Sequence, residues 1–177
     1  MFRKLLNSEL GRMSVDQYKA AGKTPVVLVL DNVRSQHNIG SAFRTCDAFR
    51  VEKLCLCGIS AVPPTPEIHK AALGAEFSVD WEHFDTALDA VRQLREAGYT
   101  IVSVEQAENA TQLQDFRADP DKRYALVFGN EVRGVAQEVV DASDLCLEIP
   151  QFGTKHSLNV SVSVGIVLWN IILNNIK

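Results

Sequence analysis

The chain lacks the glycine-rich turns that mark the commonest nucleotide-binding folds. It has 10 glycines among 177 residues, and nowhere do they form Gly-x-Gly-x-x-Gly or a Walker-type phosphate loop. The first apolar run, residues 26–30, is followed by residues 31–40, in which Gly40 is the only glycine. A Rossmann-type dinucleotide site needs a glycine-rich turn at this place. The sequence therefore excludes a phosphate cradle of that kind.

Long hydrophobic runs are also missing. The most apolar segment, residues 160–173, is interrupted by serine, glycine and asparagine, so it is a poor membrane span. The N-terminal residues do not include the apolar core of about 7–15 residues that a signal peptide has. We therefore expect a cytoplasmic protein.

Cysteine and histidine are few, and their spacing does not indicate a metal site. The four cysteines are Cys46, Cys55, Cys57 and Cys146. We interpret them as small buried hydrophobic residues. His69 and His83 are expected to be surface or packing residues. The sequence therefore predicts no metal ion.

The composition, 46% hydrophobic and 23% charged, is typical of a single globular domain. Strand-like apolar runs occur at residues 26–30, 54–57, 100–104, 124–128 and 145–149. Helix-like stretches lie between them at residues 39–49, 67–73, 86–97 and 135–140. Asp85 is the expected N-cap of the third helix, and Gly98 its C-terminal stop. This alternation predicts an α/β fold with a mainly parallel sheet and helices on both faces.

The C-terminal segment gives two conflicting signals. Residues 160–165 alternate between apolar and small residues, and this period of two is typical of a strand. The apolar run nevertheless continues to Ile172 without a turn residue, which is too long for a typical strand. Periodicity alone does not choose between strand and helix here.

Three polar segments follow apolar runs and carry most of the functional signal. Motif one, residues 32–45, contains Asn-Ile-Gly-x-x-x-Arg. Motif two, residues 128–134, contains Gly-Asn-Glu-x-x-Gly. Motif three, residues 149–163, contains Ile-Pro-x-x-Gly-x-x-x-Ser-Leu-Asn-Val-Ser-Val. Glycine, proline and several hydrogen-bonding side chains at strand ends favour loops that bind a ligand.

The three motifs, in this order, resemble those of the SpoU (TrmH) family of RNA ribose 2′-O-methyltransferases. The resemblance runs from about Pro25 to the C-terminus. It implies S-adenosylmethionine as cofactor, tRNA or rRNA as substrate, a C-terminal helix and a deep trefoil knot. General rules of chain topology argue against knots, so the knot rests on the resemblance alone.

The resemblance also implies where the cofactor would bind. Backbone groups of Gly129, Ile149 and Leu158 would hold its adenosine. Ser157 and Asn159 have the size and bonding capacity to fix the methionine carboxylate or the substrate ribose, and Ser157 is counted with the cofactor site as well.

The catalytic arginine of the family corresponds to Arg44. It would act either as a general base or by gripping a phosphate and stabilising the alkoxide, and the sequence does not choose. Asn38 would cap the helix that begins at Ile39, position Arg44 and the ribose, or do both. Glu131 would orient Arg133, Arg44 or a loop of the partner subunit.

Charge is unevenly distributed along the chain. Residues 1–24 hold five basic and two acidic residues, a net of +3, whereas the remainder holds 13 basic and 20 acidic residues. The basic residues of this N-terminal extension are Arg3, Lys4, Arg12, Lys19 and Lys23. They either contact RNA phosphates or belong to a solvated tail. His37 and His156 lie inside motifs and are further candidates for RNA contact. We divide the chain into this extension, 1–24, and a methyltransferase domain, 25–177.

A homodimer is expected through the C-terminal helix. The apolar residues predicted to serve both the core and a partner are Val160, Val164, Val167, Leu168 and Ile171, with Trp169 and Ile172 extending the surface. By resemblance, such a dimer completes each active site from two subunits.

Two other functions remain open at this stage. One is a non-catalytic RNA-binding or assembly factor that retained the fold, against which the complete set of motif residues argues. The other is a base methyltransferase, which would need a carboxylate placed to accept a ring-nitrogen proton.

Overall fold

Seven parallel strands form one sheet in the computed structural model, which describes residues 1–173. The strands are β1 (Thr24–Asp31), β2 (Val51–Cys57), β3 (Trp81–Phe84), β4 (Tyr99–Val104), β5 (Thr111–Gln112), β6 (Arg123–Phe128) and β7 (Leu145–Glu148). The helices are α1 (Val15–Ala20), α2 (Gln36–Ala48), α3 (Pro66–Ala72), α4 (Ala75–Ser78), α5 (Ala87–Glu96), α6 (Gln137–Asp141) and α7 (Val160–Leu173), with a 3₁₀ turn at Asn7–Glu9. The spatial order of the strands is β3-β2-β1-β6-β4-β7-β5.

Helices cover both faces of the sheet, as predicted. Side chains alternate between the faces along each strand. Val26, Leu28 and Leu30 belong to a buried cluster with side chains of α2, α3 and α7. Val27 and Val29 belong to a second cluster with α5 and α6. Because β1 is buried on both faces, its central residues 26–30 are all apolar. The predicted α/β class is therefore confirmed.

Local capping chemistry explains where predicted helix boundaries were displaced. The predicted helix at residue 39 begins at Gln36, because the Ser35 hydroxyl accepts the Asn38 N–H at 3.2 Å. The predicted cap Asp85 is wrong, since Thr86 caps α5 instead. Gly98 does follow the end of α5 with a φ of +85°, a conformation that favours glycine.

Four short elements were not predicted, namely α1, α4, β3 and β5. They have four to six residues, or two in β5, so periodicity carries little signal. Among them, α1 lies inside the N-terminal extension. Its Tyr18 is buried, and the hydroxyl donates to the Cys46 carbonyl at 3.4 Å. Residues 15–20 thus pack on the body of the protein, whereas residues 1–14 are exposed.

The C-terminal segment is the helix α7, as the resemblance implied. Its packing overrides the strand-like alternation, because the buried residues recur at helical spacing. These are Val160, Val164, Val167, Leu168 and Ile171, the residues predicted to face a partner as well. That part of the prediction is wrong, since their own core covers them. The exposed stripe consists of Val162, Ile166, Trp169 and Leu173, of which only Trp169 was predicted to belong to the surface. The last residues of the predicted domain, 174–177, lie outside the described part.

Three cysteines are buried as predicted, and the fourth is not. Cys46, Cys55 and Cys57 are inaccessible to solvent, and burial raises the pKa of Cys55 to about 12. Cys146 is only partly buried. Within residues 1–173, no group of three histidine, cysteine or acidic side chains is placed to hold a metal ion. In the same range, no helix has the length and apolar character to cross a membrane.

Candidate functional site

The register of the sheet brings the three motifs to one edge. Leu30 of β1 pairs with Phe128 of β6, which pairs with Val104 of β4. Val104 in turn pairs with Leu147 of β7. These four neighbouring strands therefore end side by side, and the loops that follow them leave the sheet together. Ligands of open parallel sheets bind at such carboxyl edges.

Motif two closes on itself as a tight turn. The Asn130 N–H donates to the Gly134 carbonyl at 3.0 Å, and the Gly134 N–H returns a bond to Asn130 at 2.9 Å. Gly134 has a φ of +68°, which a side chain would strain. A Cβ on Gly129 would lie 2.0 Å from the Gly134 carbonyl carbon. Both glycines are therefore required for the turn itself.

Two carboxylates that sequence analysis missed hold this turn in place. Asp31, buried at the end of β1, accepts the Ala136 N–H at 2.9 Å. Glu105, directly after β4, accepts the Val135 N–H at 2.9 Å. The only signal was an acidic residue at each strand end, which does not reveal a partner distant in sequence. Gln106 adds a bond to the His156 carbonyl of motif three at 2.5 Å.

Glu131 of motif two bonds to the start of α2. Its carboxylate accepts the backbone N–H groups of Arg34 and Ser35, each at 3.1 Å, and the Asn38 amide at 3.0 Å. Burial alone would raise the pKa of Glu131, but these hydrogen bonds outweigh it and lower the pKa below the ordinary value. Glu131 bonds to neither Arg133 nor Arg44 among the described residues, contrary to two of the roles considered.

Asn38 connects motif two to motif three. Its amide nitrogen donates to Glu131, and its amide oxygen accepts the Asn159 side chain at 3.1 Å. The Asn159 side-chain oxygen accepts the Ser161 N–H at 2.8 Å and so caps α7. The predicted capping role of Asn38 is wrong, since Ser35 fills it. Asn38 is instead the middle member of a chain of three polar side chains.

A cleft of about 540 Å³ opens beside these three side chains. It is lined by predicted site residues from motifs two and three, namely Gly129, Glu131, Ile149, Ser157, Leu158 and Asn159. Val104, Glu105 and Phe128 form further parts of the wall, and His156 lies at the same cleft. Apolar side chains, glycine backbone and a few polar groups are the usual lining of a small-molecule site.

Arg44 is not part of this cleft within a single chain. Its side chain is exposed on α2 and makes no hydrogen bond or ion pair to another residue in the range 1–173. It lines a separate groove with Ser41, Phe49, Gly165 and Trp169. The structure thus brings together Asn38, Glu131 and Asn159 but leaves Arg44 beside α7.

The histidines outside the cleft have ordinary surroundings. His37 is exposed near the start of α2. One ring nitrogen of His83 lies 3.1 Å from the Gly58 carbonyl oxygen. His69 contacts the Glu76 carboxylate at 2.5 Å. The expectation of packing or surface roles for His69 and His83 agrees with these contacts.

Comparison with known proteins agrees with the fold and the motifs. A similar protein of Staphylococcus saprophyticus, assigned to the TrmH family of tRNA/rRNA methyltransferases, is 31% identical over 157 residues. The match covers 89% of this chain and 62% of that protein, so the chain spans about three fifths of the relative.

Two solved structures share the architecture. The AdoMet-bound rRNA methyltransferase of Sinorhizobium meliloti superposes with a TM-score of 0.80 and 28% identity, covering 94% of this chain and 62% of its own. A second structure, whose subject is the 2-OH methylation of C/U34 on tRNA, superposes with a TM-score of 0.74 and 26% identity. The match covers 86% of this chain and 98% of that one. The model of the SpoU rRNA Methylase family matches residues 25–169. The chain therefore belongs to the SpoU rRNA methylase family.

Proposed function

We propose that this protein transfers a methyl group from S-adenosylmethionine to a ribose 2′-hydroxyl of tRNA or rRNA. The observation that carries the proposal is the hydrogen-bonded chain Glu131–Asn38–Asn159, which joins all three motifs beside the cleft. A protein that only bound RNA would have no evident use for this arrangement next to a small-molecule site.

The cleft suits the proposed cofactor in size and in lining. Its volume of about 540 Å³ falls in the usual range for small-molecule sites, about 300–1,000 Å³. Gly129 exposes backbone there, and Ile149 and Leu158 supply apolar walls on which an adenine ring would pack. Ser157 and Asn159 would hold the polar methionine or ribose groups. When bound, the cofactor supplies an electrophilic methyl group.

Carboxylates in the cleft favour ribose over base methylation. The two oxygens of Glu105 accept backbone N–H groups of Gln106 and Val135. Glu131 is likewise engaged by backbone N–H groups of α2. Because both carboxylates serve as fixed acceptors, neither is a free base for a ring-nitrogen proton. A hydroxyl substrate, activated by a positively charged group, fits the residues better.

Arg44 is the group we assign to substrate activation. Arginine is in general a poor general base, because a guanidinium holds its proton tightly. Arg44 would instead grip an RNA phosphate and stabilise the negative charge that develops on the 2′-oxygen. A phosphate of the substrate would accept the hydroxyl proton. The exposure of Arg44, without a partner among residues 1–173, keeps it available for this role.

A homodimer would bring Arg44 to a cleft. The exposed stripe on α7 consists of Val162, Ile166, Trp169 and Leu173, each 38–51% exposed. Trp169 also lines the groove that holds Arg44. A second copy packed on this stripe would cover the apolar side chains and set Arg44 of one subunit against the partner's cleft. We therefore propose that two subunits complete each active site.

The deep trefoil knot remains part of this proposal. The segment after β7 lines the same cleft as the turn after β6, and Asn159 at its end reaches Asn38. Such close approach of the two loops supports a chain that threads through the earlier loop, as the family resemblance implies.

Nucleoside mass spectrometry tests the reaction and the target together. We expect tRNA or rRNA from cells without this gene to lose one 2′-O-methylated nucleotide, and the purified protein to restore it with S-adenosylmethionine. An unchanged nucleoside profile, with RNA binding intact, would contradict the enzyme proposal and favour an assembly factor.

The dimer is tested separately with a charge in the exposed stripe. Trp169→Glu should yield monomers in light scattering and abolish methyl transfer while cofactor binding persists. Leu73→Glu is the matched control, because Leu73 is 66% exposed and lies outside the stripe. A wild-type protein that is monomeric at micromolar concentration would contradict the two-subunit site.

A further inference from the structure

We propose that a second pocket, away from the cleft, binds an unpaired nucleobase that carries an exocyclic amino group. The pocket has a volume of about 630 Å³ and lies between the segment that leads into α3, the helix α4 and the start of β3. This inference rests on the proposed function, because the base would belong to the RNA substrate.

The walls of the pocket are flat and apolar. Pro63, Pro64 and Pro66 form one part of the lining, and Phe77 and Trp81 supply two aromatic rings. Phe77 is 60% exposed, which is unusual for a phenylalanine without a partner to cover it. Aromatic rings at the surface of RNA-binding proteins stack on bases that have left a helix. The shape therefore suits a planar ring.

A buried acceptor without a donor lies at the same pocket. The Glu76 side chain is only 4% exposed, and His69 contacts one carboxylate oxygen at 2.5 Å. The other oxygen, Oε2, has no hydrogen-bond partner in residues 1–173. Buried carboxylate oxygens are normally satisfied, so this one calls for a donor. Oε2 is enclosed by protein atoms in this structure, so a ligand in the pocket supplies that donor once the Glu76 carboxylate turns toward the pocket.

Flat walls and a lone acceptor together define the ligand. The amino groups of cytosine, adenine and guanine are hydrogen-bond donors on planar rings. Where proteins recognise bases, carboxylates accept hydrogen bonds from the cytosine amino group. Uracil has a carbonyl at the same ring position, and its oxygen would face the carboxylate unfavourably. A lysine side chain would satisfy Glu76 but would leave the proline and aromatic walls without a flat partner.

Tight packing couples the pocket to α2, the helix that carries Arg44. A Cβ on Gly40 of α2 would lie 2.6 Å from the Ile68 carbonyl oxygen of α3, so the two helices are in backbone contact. Ser78 of α4 donates to Asp47 of α2 at 2.6 Å. A base held in the pocket would therefore lie at a fixed distance from Arg44, which is also on α2. The position of this base would determine which nucleotides of the RNA reach Arg44.

The test uses the fluorescence of Trp81. The chain has two tryptophans, so Trp169→Phe leaves Trp81 as the only tryptophan, and selective excitation of tryptophan avoids the three tyrosines. Short cytidylate and uridylate oligomers are the probes, because their bases match in size and differ at the amino group. We expect cytidylate to quench Trp81 and to bind about tenfold more tightly than uridylate, the order of one hydrogen bond to a charged group.

Two variants distinguish the contribution of the aromatic wall to binding from that of the Glu76 carboxylate. Phe77→Ala should weaken both oligomers alike, with Leu73→Ala, a neighbouring exposed residue outside the lining, as control. Glu76→Gln should reduce the preference for cytidylate towards parity, with the exposed Glu67→Gln on α3 as control. Equal affinity of the Trp169→Phe protein for both oligomers, or no effect of either variant in that protein, would overturn the inference.

The failure of this inference is distinguishable from that of the proposed function. Oligomer binding is measured without cofactor, whereas methyl transfer is measured on whole RNA. Normal methyl transfer with no binding at Trp81 would reject the pocket and leave the proposed function standing. Quenching by a lysine-rich peptide but by neither oligomer would overturn the inference in favour of a protein partner.

Discussion

Asn38 and Asn159 are joined by a hydrogen bond of 3.1 Å across a sequence separation of 121 residues. Each residue also makes a second contact, since Asn38 donates to Glu131 and Asn159 caps α7. The start of α2, the turn after β6 and the start of α7 are therefore held in one arrangement. Because α7 also carries the exposed apolar stripe, the same bond links the cleft to the proposed dimer surface.

The first prediction concerns the two roles of Asn159. Asn159→Ala removes both the cap and the bond to Asn38, so we expect the free energy of unfolding to fall by about 1–2 kcal/mol. Cofactor affinity and methyl transfer should both fall. Asn159→Ser is the matched variant, because serine caps about as well but does not supply the amide donor. It should keep the stability, measured by urea unfolding, and still lose methyl transfer. Equal stability loss in both variants would contradict this division.

The second prediction is a pH dependence at Glu131. Its pKa lies below the ordinary 4.5, so the ionised carboxylate stabilises the folded state above that pH. This stabilisation should be lost as the pH falls from about 4.5 through the lower folded pKa. Glu131→Gln should lower stability at neutral pH by about 1 kcal/mol, because exposure to solvent weakens the bonds. The difference in unfolding temperature between the wild type and Glu131→Gln should disappear at acid pH. A difference that grows below pH 4.5 would contradict this prediction.

The third prediction compares two motif glycines. Gly129→Ala places a Cβ 2.0 Å from backbone of the motif-two turn, so the turn must shift. We expect a loss of about 1–3 kcal/mol in unfolding free energy and weaker binding of S-adenosylmethionine by calorimetry. Gly153→Ala is the control, because nothing lies within 4 Å of its Cβ position. Similar thermal stability of Gly129→Ala and Gly153→Ala would argue against a steric constraint on this turn.

The fourth prediction tests Arg44 as the group that stabilises the reacting oxygen. Arg44→Ala should retain its fold and its cofactor affinity, since the side chain is exposed and outside the cleft. Single-turnover methyl transfer should fall by orders of magnitude, because the interaction is made in the transition state. Arg92→Ala, at an exposed site on α5, should behave as wild type. Near-normal turnover of Arg44→Ala on the true RNA would show that the assignment is wrong.

The fifth prediction concerns the exposed N-terminal segment. Removal of residues 1–13 deletes Arg3, Lys4 and Arg12 but keeps Ser14, which caps α1, and the buried Tyr18. We expect weaker RNA binding with a smaller salt dependence, and unchanged cofactor affinity and thermal stability. The measurement is a salt titration of RNA affinity for both proteins. Identical slopes would make the segment a solvated tail.

Local patterns in the amino-acid sequence were enough to predict the fold class. Apolar runs at strand length, separated by amphipathic stretches, sufficed for a parallel sheet, because burial on both faces imposes a continuous apolar composition. The motifs were recognised by their resemblance to those of the SpoU (TrmH) family, and the structure explains two of their residues, because the tight turn needs glycine at Gly134 and the cap of α7 needs a small polar side chain at Asn159. Both requirements are local, because each depends only on residues that are close in the sequence.

Which side chains contact one another could be seen only in the folded chain. Asp31 and Glu105 hold the motif-two turn, and Asn38 bonds to Glu131 instead of capping its own helix. The exposure of Val162 and Ile166 on α7, and the separation of Arg44 from the cleft, were likewise not predicted from spacing. These relationships depend on strand order and register, and the hydrogen bonds among them join residues 30 to 105 positions apart. Because the pairing of distant strands is a property of the whole folded chain, no local pattern encodes it.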